Sequence, residues 1–111
     1  MSKYPQSLFG FRLRTARERA NLPQDRLGVL IGLDEGCSSA RISRYETGIH
    51  QPPFEVAEKL AEVLGVPTTY FYCADDLVAE VLLDLAGFTK VELTSIKNSI
   101  RRIQKKRGKR A

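Results

Sequence analysis

Apolar residues recur along this chain at helical spacing, in short segments separated by Gly, Pro and Asn. Phe9, Leu13, Ala16 and Ala20 stand at i, i+4, i+7 and i+11, one face of a helix, which predicts a first helix over about 7–20 with Arg12, Arg14 and Arg19 largely off that face. Asn21-Leu22-Pro23 breaks the pattern. A second helix is expected over 24–31, with Leu27, Leu30 and Ile31 inward and Gly32 as its stop. The stretch 32–38 reads as a turn or a loose helix start, and Asp34, Ser38 and Ser39 are all acceptable N-caps there. A third helix follows over about 39–46, packing through Ile42 and Tyr45 and stopped by Gly48. Pro52-Pro53 keeps the next loop out of helix. The fourth helix, over 54–64, buries Ala57, Leu60, Ala61 and Leu64; Gly65 caps it, and Pro67 opens a short fifth helix with Tyr70 and Phe71 in the core.

Two more helices are expected beyond that point. Val78, Val81, Leu82 and Leu85 share one face of a sixth helix over 75–86, started by Asp75-Asp76 and ended by Gly87. Thr89-Lys90-Val91-Glu92 has the form of a capping box and starts a seventh helix that frays near Gly108. Leu93, Ile96, Ile100 and Ile103 are spaced three, four and three, an a/d stripe over less than two heptads. No alternating β-branched or aromatic runs interrupt this, so the fold class is all-α. A five-helix unit over 1–73 carries a two-helix extension over 74–111.

Composition narrows the function classes. Residues 1–72 carry nine Lys/Arg against eight Asp/Glu, residues 73–96 one against five, and residues 97–111 eight against none. A basic tail after an acidic connector invites a polyanion, although a solvated terminus has the same composition. Cys37 and Cys73 lack Cys-x-x-Cys spacing and the single His50 has no neighbouring ligand set, so neither a metal site nor another cofactor is expected. Two separated thiols, no basic-then-apolar start and no apolar run near 20 residues suit a cytoplasmic protein without a membrane span. No paired carboxylates, Ser/His set or Gly-rich phosphate loop stands in a sensible context, so an enzyme is not expected and no catalytic residue is assigned.

The third helix carries the most telling chemistry. It anchors through Ile42 and Tyr45 and presents Arg41, Ser43 and Arg44 outward, cations and hydroxyls of the kind a DNA major groove accepts. Residues 8–72 resemble the Cro/phage-repressor type of helix-turn-helix domain, the xenobiotic-response-element family, with its lambda-repressor-like five-helix fold. The resemblance rests on Leu13 and Arg17, on Gln24 and Leu27, on Ile42-Ser43-Arg44-Tyr45-Glu46-x-Gly48, and on Pro52, Ala57, Leu60, Ala61, Leu64-Gly65-Val66 and Phe71. One departure stands out: between Gly28 and Ile42 the chain has four residues more than the family spacing, within 33–38. Either Asp34 and Glu35 in this excess point away from DNA, or Asp34 caps an N-terminally extended third helix.

The resemblance implies roles residue by residue. Gln24, with the backbone N–H groups of its helix start, holds a phosphate. Ser38, Ser39, Ala40 and Arg41 form the groove-facing start of the third helix, Ser43 faces the backbone, and Arg44 reads a base, guanine O6 and N7 being its natural acceptors. Thr47, Ile49, His50 and Gln51 lie near phosphates. Glu46 pairs with Arg17, locking the third helix to the first. The function so implied is a double-stranded-DNA-binding transcriptional regulator, a repressor of bacterial or phage type, acting as a homodimer on two half-sites. The 93–103 stripe either pairs with a second copy or folds back on the sixth helix. An alternative is an antitoxin-type module whose residues 75–106 bind a partner protein.

Overall fold

The computed structural model describes residues 7–110, with only the backbone described at 109 and 110. Its helices are α1 (Leu8–Arg19), α2 (Gln24–Leu30), α3 (Glu35–Thr47), α4 (Phe54–Leu64), α5 (Asp76–Leu85) and α6 (Lys90–Arg110), with a 3₁₀ segment at Thr68–Tyr72 between α4 and α5. No strand occurs among the described residues, so the fold is all-helical as expected. Local chemistry explains the starts. The Ser7 hydroxyl accepts from the Gly10 N–H at 2.9 Å at the head of α1, and the Asp75 carboxylate accepts from Val78 N–H at 3.0 Å at the head of α5. The capping box forms reciprocally: Thr89 N–H donates to Glu92 Oε1 at 2.9 Å, and Glu92 N–H donates to Thr89 Oγ1 at 3.2 Å.

The core lies between α1, α2, α3, α4 and the 3₁₀ segment. Leu13, Leu27, Ile42, Ala57, Leu60 and Phe71 are completely buried in it, and Phe9 stacks tilted on Phe71 with ring centroids 4.9 Å apart. The predicted fifth helix is a 3₁₀ segment, because Pro67 starts it and only five residues separate it from the extended Cys73.

Five expectations on the helices need correction. Ala20, expected on the inward face of the first helix, is exposed just past the end of α1. The third helix starts at Glu35 rather than Ser39, so the four excess residues add about one turn to its N-terminus instead of lengthening the turn. Leu30 is exposed, because the helix ends there and Ile31 takes the inward place. On α5 the buried side is Ala79, with Leu83 packed beside it, while Val78 and Val81 face solvent. The last helix runs through Gly108 to Arg110 without fraying.

Beyond residue 75 the packing thins. No described residue of α6 is buried, and only Ile96 and Ser99 are half-buried. The Cα radius of gyration, 16.8 Å, exceeds the roughly 13 Å of a compact chain of this length, as expected when a long helix stands away from the core.

Candidate nucleic-acid interface

The three-turn helix α3 divides by face. Ser38, Ile42 and Tyr45, at i, i+4 and i+7, are buried, whereas Gly36, Ala40, Arg44 and, half-buried, Ser43 and Thr47 look outward. Gly48 ends the helix with φ 82°, a left-handed conformation that a side chain resists. His50 N–H then donates to Arg44 O at 3.2 Å, which folds the following loop back against the helix end.

Two close approaches set the angle of α3. A Cβ on Gly28 would sit 2.4 Å from Ser38 Cβ, and a Cβ on Gly10 would sit 2.1 Å from the Glu46 carbonyl oxygen. Only glycine lets α2 and α1 touch α3 this closely. The Ser38 side chain is therefore not on the outward face: it is fully buried, and its hydroxyl donates to Asp25 O at 2.6 Å. The extra turn of α3 carries Ser38 to the inward row, so its place among the groove-facing residues is corrected to a bolt between α2 and α3.

The Arg17–Glu46 pair forms as the family pattern implied. Arg17 Nε donates to Glu46 Oε2, Nη2 to Glu46 Oε1 at 3.2 Å, and Nη1 to Leu22 O at 2.9 Å. The two side chains retain 13% and 5% of their exposure, which makes this an interior pair. The hydrogen bond to Glu46 raises the Arg17 pKa further above an already high value, against the lowering effect of burial, so the guanidinium stays charged. Gln24 joins the network: its Nε2 donates to Glu46 Oε1 at 3.0 Å. That bond orients the amide at the first residue of α2, leaving its second N–H and its oxygen for other partners. A cleft of about 530 Å³ opens above, lined among others by Arg14, Arg17, Gln24, Ser43 and Thr47.

The remaining candidates are surface residues. Ser39, Ala40, Arg41, Arg44, Ile49, His50 and Gln51 are exposed, and among the described residues neither Arg41 nor Arg44 has an ion-pair partner. The Thr47 hydroxyl donates back into its helix, to Ser43 O at 2.9 Å, so its proton is not directed outward in this arrangement. The extension places Glu35 in the first turn of α3 and leaves Glu35, Gly36 and Cys37 exposed at its head.

Arg12 departs from its expected place. Arg12 is 4% exposed rather than off the apolar face. Its Nε donates to Cys73 O at 2.9 Å, its Nη2 bonds Asp76 Oδ1 at 3.0 Å, and its guanidinium lies 5.6 Å from the Tyr70 ring centroid. The signal was present: Arg12 is three residues after Phe9 and four before Ala16, within the same stripe. Its partners come from 61 to 64 residues away, which spacing cannot show.

Among the described residues no cluster of His, Cys, Asp or Glu is arranged to hold a metal ion, and no helix is long and apolar enough to cross a membrane. No curated protein matches the chain. A crystal structure of the transcriptional regulator BswR is 40% identical, covers 84% of this chain and 92% of its own, and superposes with a TM-score of 0.78. A family model described as a helix-turn-helix domain matches residues 8–69, from the first turn of α1 into the 3₁₀ segment. With the α2–α3 pair bolted at Gly28 and Ser38 inside that span, the chain belongs to the helix-turn-helix family of DNA-binding proteins.

Proposed function

We propose that this protein is a sequence-specific transcriptional regulator of the xenobiotic-response-element type, a cytoplasmic repressor that binds double-stranded DNA as a dimer. The observation that carries the reading is the contrast within α3. Its inner row is buried and its end is locked by Arg17 and Glu46, while its outer row offers Ser39, Ala40, Arg41, Ser43 and Arg44, and neither arginine has an ion-pair partner among the described residues. A helix held this firmly can place a guanidinium against a base edge at small conformational cost. Arg44 is the base-reading residue and Arg41 reaches base or phosphate. Ala40 is small enough to meet a thymine methyl. Gln24, oriented by Glu46, holds a phosphate with the N–H groups at the head of α2. Thr47, His50 and Gln51 line the adjoining backbone, Thr47 after rotation of its hydroxyl. One such unit reads few base pairs, so two copies on half-sites about 34 Å apart supply specificity.

The solved regulator that covers 84% of this chain supports a regulatory role. The test is selection of bound duplexes from a random pool, followed by fluorescence anisotropy at several salt concentrations against unselected competitor. Enrichment of one two-fold-symmetric sequence, bound at least 10³-fold more tightly than competitor, is expected. Equal affinity for both overturns the proposal.

A further inference from the structure

The C-terminal arm shows two exposed surfaces of opposite charge. On α5, Leu77, Val78 and Val81 are 70%, 50% and 47% exposed. Glu80 and Asp84, one turn apart, flank the Leu77–Val81 row, and residues 75–88 hold four carboxylates and no cation. On α6, Leu93, Ile100 and Ile103 are exposed, with Ile96 half-buried beside them. Lys97 and Arg101, again one turn apart, flank that stripe, and residues 90–110 hold nine cations against the one carboxylate of Glu92. A polar helix of 21 residues with no fully buried residue among those described gains little from propensity alone. Both surfaces call for a partner, and among the described residues neither is covered.

We propose that α6 of one copy lies across α5 of a second copy, and reciprocally, so that the two helices exchange partners about a two-fold axis. The inference rests on the dimeric reading above and says which surfaces make the dimer. Isologous symmetry satisfies both contacts at once, because each copy supplies one acidic-apolar and one basic-apolar surface. Pairing α6 with α6 would set two helices of nine cations side by side over a stripe of less than two heptads. The counter-charge on the chain is α5, and complementary potentials fix partner and register. Arg12 fits this arrangement: it ties the head of α5 to α1 through Asp76, so the acidic surface is presented at a defined angle to the DNA-reading unit.

The test uses full-length chains and native mass spectrometry, with circular dichroism to verify helix content. Wild type is expected at twice the mass of one chain. Glu80→Lys/Asp84→Lys and Lys97→Glu/Arg101→Glu are each expected as single chains. Mixing the two variants is expected to restore a one-to-one heterodimer, since the reversed α5 of one chain then meets the reversed α6 of the other, and native α5 meets native α6. Placing all four substitutions in one chain is expected to restore the homodimer. If either double variant alone remains dimeric, or if mixing restores nothing, the exchange is wrong while the dimer and its DNA binding stand. A Lys97→Glu/Arg101→Glu protein that keeps the dimer mass but binds DNA more weakly would make α6 a phosphate contact and overturn the inference. A monomeric wild type overturns the dimer itself, and DNA selection separately decides the DNA reading.

Discussion

Residues 7–72 and residues 75–110 use similar proportions of apolar side chains to opposite ends. In the first region Leu13, Leu27, Ile42, Leu60 and Phe71 are wholly enclosed, and the interior charge of Arg17 is met by Glu46. In the second, Leu77, Val91 and Ile103 are 70%, 79% and 64% exposed. A helix-turn-helix unit must hold α3 still by itself, so its neighbours close over it. A two-helix arm cannot enclose a core alone, since each helix has one partner at most. The lesson is that the apolar stripe predicted on the last helix is real as a pattern but is not buried by its own chain.

The largest effect should come from the interior pair. Glu46→Ala leaves Arg17 and Gln24 without their shared acceptor and should cost about 3–5 kcal/mol of unfolding free energy, read by urea denaturation. A change within experimental noise would show that the lock on α3 is unimportant.

Next comes the joint between the regions. Arg12→Ala removes the bonds to Cys73 O and Asp76 and should cost about 1.5–3 kcal/mol. Amide exchange should accelerate in α5 before α2 or α3. Uniform acceleration throughout would mean that Arg12 supports the core and not the joint.

A third test separates reading from folding. Arg44→Ala should leave the unfolding midpoint nearly unchanged and lose about 1–3 kcal/mol of discrimination at one base pair. If every sequence weakens equally, Arg44 is a phosphate clamp. The smallest effect belongs to the arm: Ile103→Ala should change the stability of the isolated chain by less than about 0.5 kcal/mol, with any larger loss appearing only in a concentration-dependent dimer.

Much of this was legible in the residues. The Phe9, Leu13 and Ala16 row of α1, the buried row of α4, the Thr89–Glu92 box, and Asp75 at the head of α5 all act within four residues, and the structure has each where the pattern puts it; Ala20, one residue past the end of α1, is exposed instead. The Arg17–Glu46 pair was legible only through the family resemblance, since 29 residues separate the partners. The head of α3 is not legible in the residues because Gly36, Cys37, Ser38 and Ser39 have no strong helix preference. Their conformation is decided by Ser38 fitting against Gly28, a contact across two helices. The burial of Arg12 is not legible for a similar reason: a guanidinium belongs outside until carbonyl and carboxylate partners from a distant segment are supplied.

By itself, then, the sequence determined the number and order of the helices, the inward row Ile42–Tyr45 and the outward Arg44, because helical period and capping are local. The tertiary structure alone decided that α3 gains a turn, that Ser38 and Arg12 lie inside, that Gln24 is steered by Glu46, and that Leu77 and Val81 of α5 and Leu93 and Ile103 of α6 stay exposed. Each of these depends on which distant groups meet, and burial or exposure of a side chain is a property of that meeting.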